Sequence, residues 1–208
     1  MAKQEIYRIY FHWTGTNYTW KEAGHYHTVI GDKGAISYLT PYNEKLPAHT
    51  FNRNSNSIAL SLACMGGANP WKEYPPQPEQ IESLCQEVVR IMRKQGWTFD
   101  KIDMAHMMTH AEAAANRDYP KELAKKVSGM RPISSVQEKE FDGIAQKLGM
   151  PHGNYGPTSW HDGWPSAGIC IRWDLWQLKP SDLGGIGGFR LRERIKEIYV
   201  QKLGSVKK

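Results

Sequence analysis

The sequence predicts an α/β fold in which a central mixed β-sheet is flanked by helices. Strand-like and helix-like runs follow one another in the order strand, strand, strand, helix, strand, which is typical of a mixed sheet with helices on its faces. The composition, with 40% hydrophobic and 23% charged residues in a chain of 208, is that of a globular protein. A chain of this length can bury a substantial core.

The strand signals lie mainly in the first third of the chain. Residues 5–13 alternate aliphatic or aromatic residues with polar ones, and residues 26–31 (YHTVIG) form a second strand-like run. The turn GDKG at 31–34 joins this second run to AISYLT, which predicts a hairpin. After the polar loop at 52–56, the apolar run SIALSLAC predicts a central strand.

A helix and a further strand follow. The proline-rich segment PWKEYPPQP is predicted to have no regular structure, and residues 78–96 are predicted to form a helix that ends at Gly96. Residues 101–109 (KIDMAHMMT) are predicted to form a strand that leads to His110. The apolar face of the predicted helix consists of Ile81, Leu84, Cys85, Val88, Ile91 and Met92.

The C-terminal part divides into an irregular segment and a basic helix. Residues 1–188 are assigned to one domain, within which residues 111–171 form an inserted helical and loop segment rich in Gly, Pro and Trp. Residues 189–208 are predicted to form a basic amphipathic helix. Because ordinary terminal helices also have one apolar stripe, a docking helix is favoured over a membrane helix. Its apolar side consists of Leu191, Ile195, Ile198 and Leu203.

The net charge and the cysteines indicate the kind of surroundings in which the protein works. A formal net charge of +6 and a pI near 9.1 favour polyanionic surroundings such as nucleic acid, anionic lipid or an acidic cell-wall polymer. The three cysteines are widely separated and form no CxxC pair, so we expect reduced thiols. The N-terminus has no signal-peptide pattern, so we expect synthesis in the cytoplasm.

Two histidines at predicted strand ends are candidates for a metal site. If their strands are neighbours, His12 and His110 meet at one edge of the sheet, whereas His106 and His110 would be on the order of 13 Å apart on one strand. A catalytic zinc site needs three protein ligands. The residue pattern does not decide which side chain is the third ligand; the candidates are Asp174, Asp162, Glu112 and Cys170.

A series of motifs resembles the type 2 zinc N-acetylmuramoyl-L-alanine amidases, which include peptidoglycan recognition proteins and amidase-type phage lysozymes. The likeness covers most of residues 5–112 and 155–178 and is greatest to phage or prophage endolysin-like members. The motifs are YFHWTGTNY, GHYHTVIGDKGAI, LPAHTFNRNSNSIALSLAC, THAEAA, YGP and RWDLWQL.

The resemblance implies a site residue by residue. It implies one zinc ion per chain held by His12, His110 and Asp174, with the inserted segment preceding this third ligand. Tyr26 corresponds to a tyrosine that orients the attacking water or accepts its proton, and Arg172 to a group that stabilises negative charge on the transition state. The implied substrate-binding residues are His49, Asn52, Asn54, Trp13 and Trp160.

The implied activity is hydrolysis of the amide between N-acetylmuramic acid and L-alanine in peptidoglycan. Two features depart from the family pattern. Ser61 stands where some members have a glutamate base, which shifts that role to Tyr26. Glu112 could take the role instead, but its interpretation as a contact of His110 or a surface acid is favoured. The long insertion is either a wall of the cleft that touches substrate through Trp160, His161 or Trp164, or a surface excursion.

Two other functions remain open from the sequence. One is a peptidoglycan-binding module of the same fold without catalysis, and the other is a basic nucleic-acid-binding protein, which is disfavoured because the basic residues cluster at 121–131 and 190–208. We expect a monomer that binds peptidoglycan, does not bind nucleic acid, and acts on the cell wall after release as an endolysin or delivery as a toxin. The basic C-terminal helix is expected to aid approach to anionic lipid.

Overall fold

The computed structural model describes residues 6–44, 49–50, 53–114, 174–182 and 186–204. Within them, five strands form one sheet: β1 (Arg8–Trp13), β2 (Thr28–Ile30), β3 (Ile36–Tyr38), β4 (Ser57–Leu62) and β5 (Met107–Thr109). Their order is β3-β2-β4-β1-β5. β2 and β3 form the predicted antiparallel hairpin, whereas the other neighbouring pairs are parallel, so the predicted mixed sheet is confirmed.

The two faces of the sheet have different roles because successive side chains of a strand point to opposite faces. In β1, Ile9 and Phe11 are fully buried in the main hydrophobic core, while Tyr10 and His12 face the other side. The described helices are α1 (Pro70–Glu73), α2 (Pro78–Gln95), α3 (His110–Ala114) and α4 (Gly187–Gly204).

Helix α2 covers the face of the sheet that carries Ile9 and Phe11, as its apolar periodicity predicts. It begins with Pro78 in the first turn, where a missing N–H costs nothing, and the Gln77 backbone N–H donates to Gln80 Oε1 over 3.0 Å. It ends at Gly96, whose φ of 71° is left-handed. Of the predicted apolar face, Ile81 is partly buried and the others lie in the core: Leu84, Cys85, Val88, Ile91 and Met92.

Helix α4 belongs to the same core. Leu191, Ile195 and Ile198 are buried in it and α4 packs against α2. Leu203, predicted on the apolar side, is 53% exposed near the C-terminal end of the helix. Deleting α4 would therefore expose part of the core, so such a deletion would not test the charges of the helix by themselves.

Two local predictions were wrong. The segment PWKEYPPQP contains the short helix α1, because Pro70 takes the first helical position, which tolerates proline. The strand predicted over 101–109 is restricted to β5 and follows a 3₁₀ turn at Phe99–Lys101. Asp103 Oδ1 accepts hydrogen bonds from the backbone N–H and the ring of His106. This bends the chain, so His106 lies in a turn before the strand.

The cysteines and the hydrophobicity of the helices were also the subject of sequence-based expectations. Cys64 and Cys85 are free and buried, while Cys170 and the inserted segment from residue 115 to 171 lie outside the described residues. No helix in the described ranges has the length and hydrophobicity needed to cross a bilayer.

Candidate metal centre

Two parallel neighbouring strands bring His12 and His110 together. Phe11 of β1 is the register partner of Thr109 of β5, so the residue that follows each one lies at the same edge of the sheet. The two Nδ1 atoms are 3.1 Å apart, and the rings meet edge to face at 4.7 Å. The prediction that these histidines meet at strand ends is confirmed.

Asp174 completes the cluster from a distant part of the chain. Its Oδ2 lies 3.2 Å from His110 Nδ1 and 3.5 Å from His12 Nδ1. Its carbonyl oxygen accepts a hydrogen bond of 3.3 Å from the Ala111 backbone N–H, which ties the two ligand segments together. Among the described residues, His12, His110 and Asp174 form the one group arranged to hold a metal ion.

The three converging atoms fit a tetrahedral zinc ion. Ligand atoms about 2.0–2.1 Å from tetrahedral zinc lie about 3.3–3.4 Å from one another, and the observed separations are 3.1, 3.2 and 3.5 Å. Two imidazoles and one carboxylate are also a donor set that zinc accepts. All three residues are at most 6% exposed, so a cation there would offset the cost of burying the carboxylate.

The charge state of Asp174 agrees with this fit. Burial opposes its ionisation, but the neighbouring His110 and His12 outweigh burial and hold the pKa of Asp174 below its ordinary value. The carboxylate is therefore ionised at neutral pH, which is the form that binds a metal.

An aromatic rim adjoins the metal cluster. The Tyr26 ring is 5.2 Å from the His12 ring, and its hydroxyl lies 3.5 Å from the Trp13 carbonyl oxygen. Trp13 packs edge to face on Trp71, and Trp20 on Tyr26. Sequence reasoning singled out Tyr26 and Trp13 but missed Trp20 and Trp71, for which the abundance of tryptophan was the only signal.

The predicted substrate residues have varied surroundings. His49 is only 9% exposed, with Nδ1 3.0 Å from Thr50 Oγ1 and Nε2 3.2 Å from Ser57 Oγ. Asn54 Oδ1 accepts the backbone N–H groups of His49 and Thr50 and so holds their loop closed. Outside the described residues lie Arg172, Asn52 and Trp160, and also two other candidates for the third ligand, Asp162 and Cys170.

Glu112 does not face solvent, so the interpretation of this residue as a surface acid was wrong. It is 2% exposed, and its two carboxylate oxygens accept hydrogen bonds of 2.8 Å from the guanidinium of Arg192 on α4. Its Oε2 also accepts the Thr109 backbone N–H. The acid therefore links the His110 segment to the last helix, a contact between residues 80 positions apart that no local pattern indicates.

Ser61 lies beside His12 in the sheet, as its register partner on β4. It is fully buried, and its Oγ has no hydrogen-bond partner among the described residues. The position that resembles a glutamate site in relatives thus borders the metal cluster, with a hydroxyl in place of a carboxylate.

The glycine pair at the start of α4 lets this helix approach both ligand segments. A Cβ on Gly187 would overlap the carbonyl oxygen of Leu175, and a Cβ on Gly188 would overlap the carboxylate of Glu112. Leu175 follows the candidate ligand Asp174 and has a left-handed backbone with φ of 58°. Non-glycine residues adopt this conformation only when surrounding structure holds it.

We expect Gly187→Ala to lower the free energy of unfolding by about 1–3 kcal/mol, because its methyl group must displace backbone rather than a flexible side chain. The same displacement next to Asp174 should weaken zinc binding. Urea denaturation of the zinc-free protein and a zinc titration measure the two effects. Phe189→Ala, which removes a 40% exposed side chain two residues later, is the control; equal behaviour of both variants would contradict the prediction.

Comparisons with known proteins give one family match and several similar solved structures. The family model described as N-acetylmuramoyl-L-alanine amidase matches residues 2–122. Similar solved structures include AmpDh3 from Pseudomonas aeruginosa, at 13% identity, covering 94% of this chain and 92% of that chain with a TM-score of 0.46. Another is the E. coli amidase AmiD bound to anhydro-N-acetylmuramic acid-L-Ala-D-gamma-Glu-L-Lys, at 18% identity, 96% and 90% coverage and 0.44.

A third similar structure is the Drosophila peptidoglycan recognition protein SD, at 11% identity, covering 51% of this chain and 70% of that chain with a TM-score of 0.39. Among curated proteins, no match was found.

Proposed function

The chain belongs to the N-acetylmuramoyl-L-alanine amidase family, and we propose that it is a zinc-dependent hydrolase that cleaves the amide bond between N-acetylmuramic acid and L-alanine in peptidoglycan. The observation that carries this proposal is the triangle of His12 Nδ1, His110 Nδ1 and Asp174 Oδ2, whose sides match a tetrahedral zinc site. Three protein ligands are also the usual number for a catalytic zinc ion, which keeps a fourth position open for water or substrate.

The residues of the chain have separate tasks in this proposal. In such a site zinc supplies a water acidified to a pKa of about 7 and polarisation of the scissile carbonyl. His12, His110 and Asp174 hold the ion, and the Tyr26 phenol, whose ring lies beside His12, orients the attacking water or accepts its proton. Arg172 is proposed to stabilise the negative charge that develops on the carbonyl oxygen.

The contacts of Glu112 reduce the number of residues that could act as the general base. Both of its carboxylate oxygens are bonded to Arg192, and the group is buried, so it is not available to a substrate water. Ser61 has no carboxylate. These observations support Tyr26 as the proton-handling side chain, which is the role that the resemblance implies.

The substrate side of the proposal rests on the aromatic rim. Trp13, Trp20, Tyr26 and Trp71 are all half-buried around one edge of the metal cluster, and aromatic faces of this kind stack on sugar rings and apolar ligand surfaces. We extend the proposal to a lytic enzyme that acts on the cell wall as an endolysin or delivered toxin, with the C-terminal helix α4 aiding approach to anionic lipid. A non-catalytic peptidoglycan-binding module is the alternative, and the complete ligand set favours the enzyme.

Metal analysis combined with mass spectrometry of digested peptidoglycan tests the proposal. We expect about one zinc ion per chain and release of stem peptides that begin with a free L-alanine amine from purified sacculi. Glycan fragments without peptide release would contradict the amidase assignment. Zinc binding and binding to sacculi without any release would support the recognition module instead.

A further inference from the structure

A chain of hydrogen bonds runs from His12 away from the metal cluster and into the protein. His12 Nε2 lies 3.3 Å from Thr50 Oγ1, and Thr50 Oγ1 lies 3.0 Å from His49 Nδ1. On its far side, His49 Nε2 lies 3.2 Å from Ser57 Oγ, and the Ser57 hydroxyl donates to the Arg53 carbonyl oxygen over 2.8 Å. These side chains are buried, with His49 the most exposed at 9%.

The direction of this chain is set by its last member. The Arg53 carbonyl oxygen can only accept, so the Ser57 hydroxyl donates to it and its oxygen accepts the N–H of His49 Nε2. His49 is 9% exposed and its two ring nitrogens face the hydroxyls of Thr50 and Ser57, so in the described part of the chain no carboxylate is bonded to either nitrogen. A charged imidazolium there would be buried without a counter-charge. The ring is therefore neutral and carries one N–H, which leaves Nδ1 as an acceptor.

The order then continues to the metal cluster. His49 Nδ1 accepts the hydroxyl hydrogen of Thr50, so Thr50 Oγ1 is left to accept from the N–H of His12 Nε2. A neutral His12 with its hydrogen on Nε2 has its lone pair on Nδ1. This is the atom that faces His110 and Asp174.

We propose that Thr50, His49 and Ser57 are positioning residues that hold His12 in the tautomer needed for metal binding, an inference that rests on the proposed zinc site. Metal-ligating histidines commonly donate their second N–H to a fixed acceptor, which sets the ring orientation and raises ligand basicity. Here the acceptor is itself fixed, because Asn54 Oδ1 binds the backbone N–H groups of His49 and Thr50 at 3.0 and 2.8 Å.

The proposal gives His49 a different role from a substrate contact. Both of its ring nitrogens are engaged inside the protein, and little of the side chain is accessible. His49 acts through Thr50 and His12, so its replacement should change zinc affinity before it changes recognition of the glycan or peptide.

Thr50→Val tests the chain, because valine keeps the shape of threonine and removes the hydroxyl. We expect zinc affinity, measured on the purified full chain by competition with a chelator, to fall about 10–100-fold. Thr50→Ser restores the hydroxyl and should restore the affinity. Ser57→Ala, at the far end, should weaken zinc binding in the same direction by a smaller factor.

A second measurement needs no variant and no metal. Nitrogen-15 NMR of the zinc-free, histidine-labelled protein should report His12 protonated on Nε2, and Thr50→Val should shift it to a mixture of tautomers. A proton on His12 Nδ1 in the unchanged protein would overturn the proposal, as would normal zinc affinity in a folded Thr50→Val. If the unchanged protein bound no zinc, the proposed function would fail while the tautomer measurement still tested the chain.

Discussion

Replacing His110 by alanine is expected to abolish zinc binding and amide hydrolysis together, with the activity falling to the background of the zinc-free protein. His110 Nδ1 lies 3.1 Å from one ligand atom and 3.2 Å from the other, so its loss removes one corner of the ligand triangle and leaves two protein ligands where catalytic zinc uses three. Zinc content and peptide release from sacculi, measured on the same preparation, check both effects.

His106→Ala is the matched control. This histidine is four residues earlier but lies in the turn before β5, bonded to Asp103 at 2.7 Å and packed on Trp97. We expect its replacement to leave zinc content and hydrolysis close to those of the unchanged protein. Activity retained in His110→Ala would refute the metal site, whereas equal losses in both variants would indicate a general effect on folding.

Arg192→Ala is expected to lower the free energy of unfolding by about 3–5 kcal/mol, the usual cost of removing one partner of a buried ion pair. The Arg192 guanidinium donates two hydrogen bonds of 2.8 Å to Glu112 and one of 2.9 Å to the Met107 carbonyl oxygen. The two side chains are 7% and 1% exposed. Without Arg192, the Glu112 carboxylate would stay buried and lose its guanidinium partner.

Arg194→Ala provides a control on the same helix. Arg194 also pairs with carboxylates, those of Glu82 and Glu197, but it and Glu82 are each 37% exposed. Solvent screens such a pair, so we expect a loss of no more than about 1 kcal/mol. Urea denaturation at low and high salt separates the two cases, because salt should weaken only the contribution of the exposed pair.

The double variant Glu112→Gln with Arg192→Ala refines this prediction. It removes the buried charge left by the single substitution and should recover part of the lost stability. If Arg192→Ala and Arg194→Ala cost the same, the buried pair would not be the link between α4 and the His110 segment. A larger loss in Arg192→Ala than in Arg194→Ala would instead support a role for α4 in holding the segment that carries His110.

Much of the sheet and its principal helix could be predicted because their signals are local. The alternation in residues 8–13 and the periodicity of 78–95 each repeat within a few positions, and side chains at those spacings share a face whatever the rest of the chain does. Where a single side chain competed with the pattern, prediction failed: Asp103 bends the backbone around His106 and shortens the expected strand.

The candidate site also has features that the sequence predicted and features that depend on the fold. That His12 and His110 stand at strand ends was readable from the sequence, and the motif resemblance selected Asp174 as their companion. The register of β1 with β5 decided that the histidines meet, and the return of the chain at residue 174 decided that a carboxylate closes the triangle.

The amino-acid sequence by itself thus determined the family, the main elements of the sheet and its principal helix, and the three residues of the candidate metal centre. Only the tertiary structure decided that Glu112 binds Arg192, that His49 is buried behind Thr50, and that a glycine pair lets α4 reach both ligand segments. The physical reason is distance along the chain. Periodicity is set by neighbours two to four residues away, whereas a buried polar group is satisfied by whichever partner the completed fold brings to it.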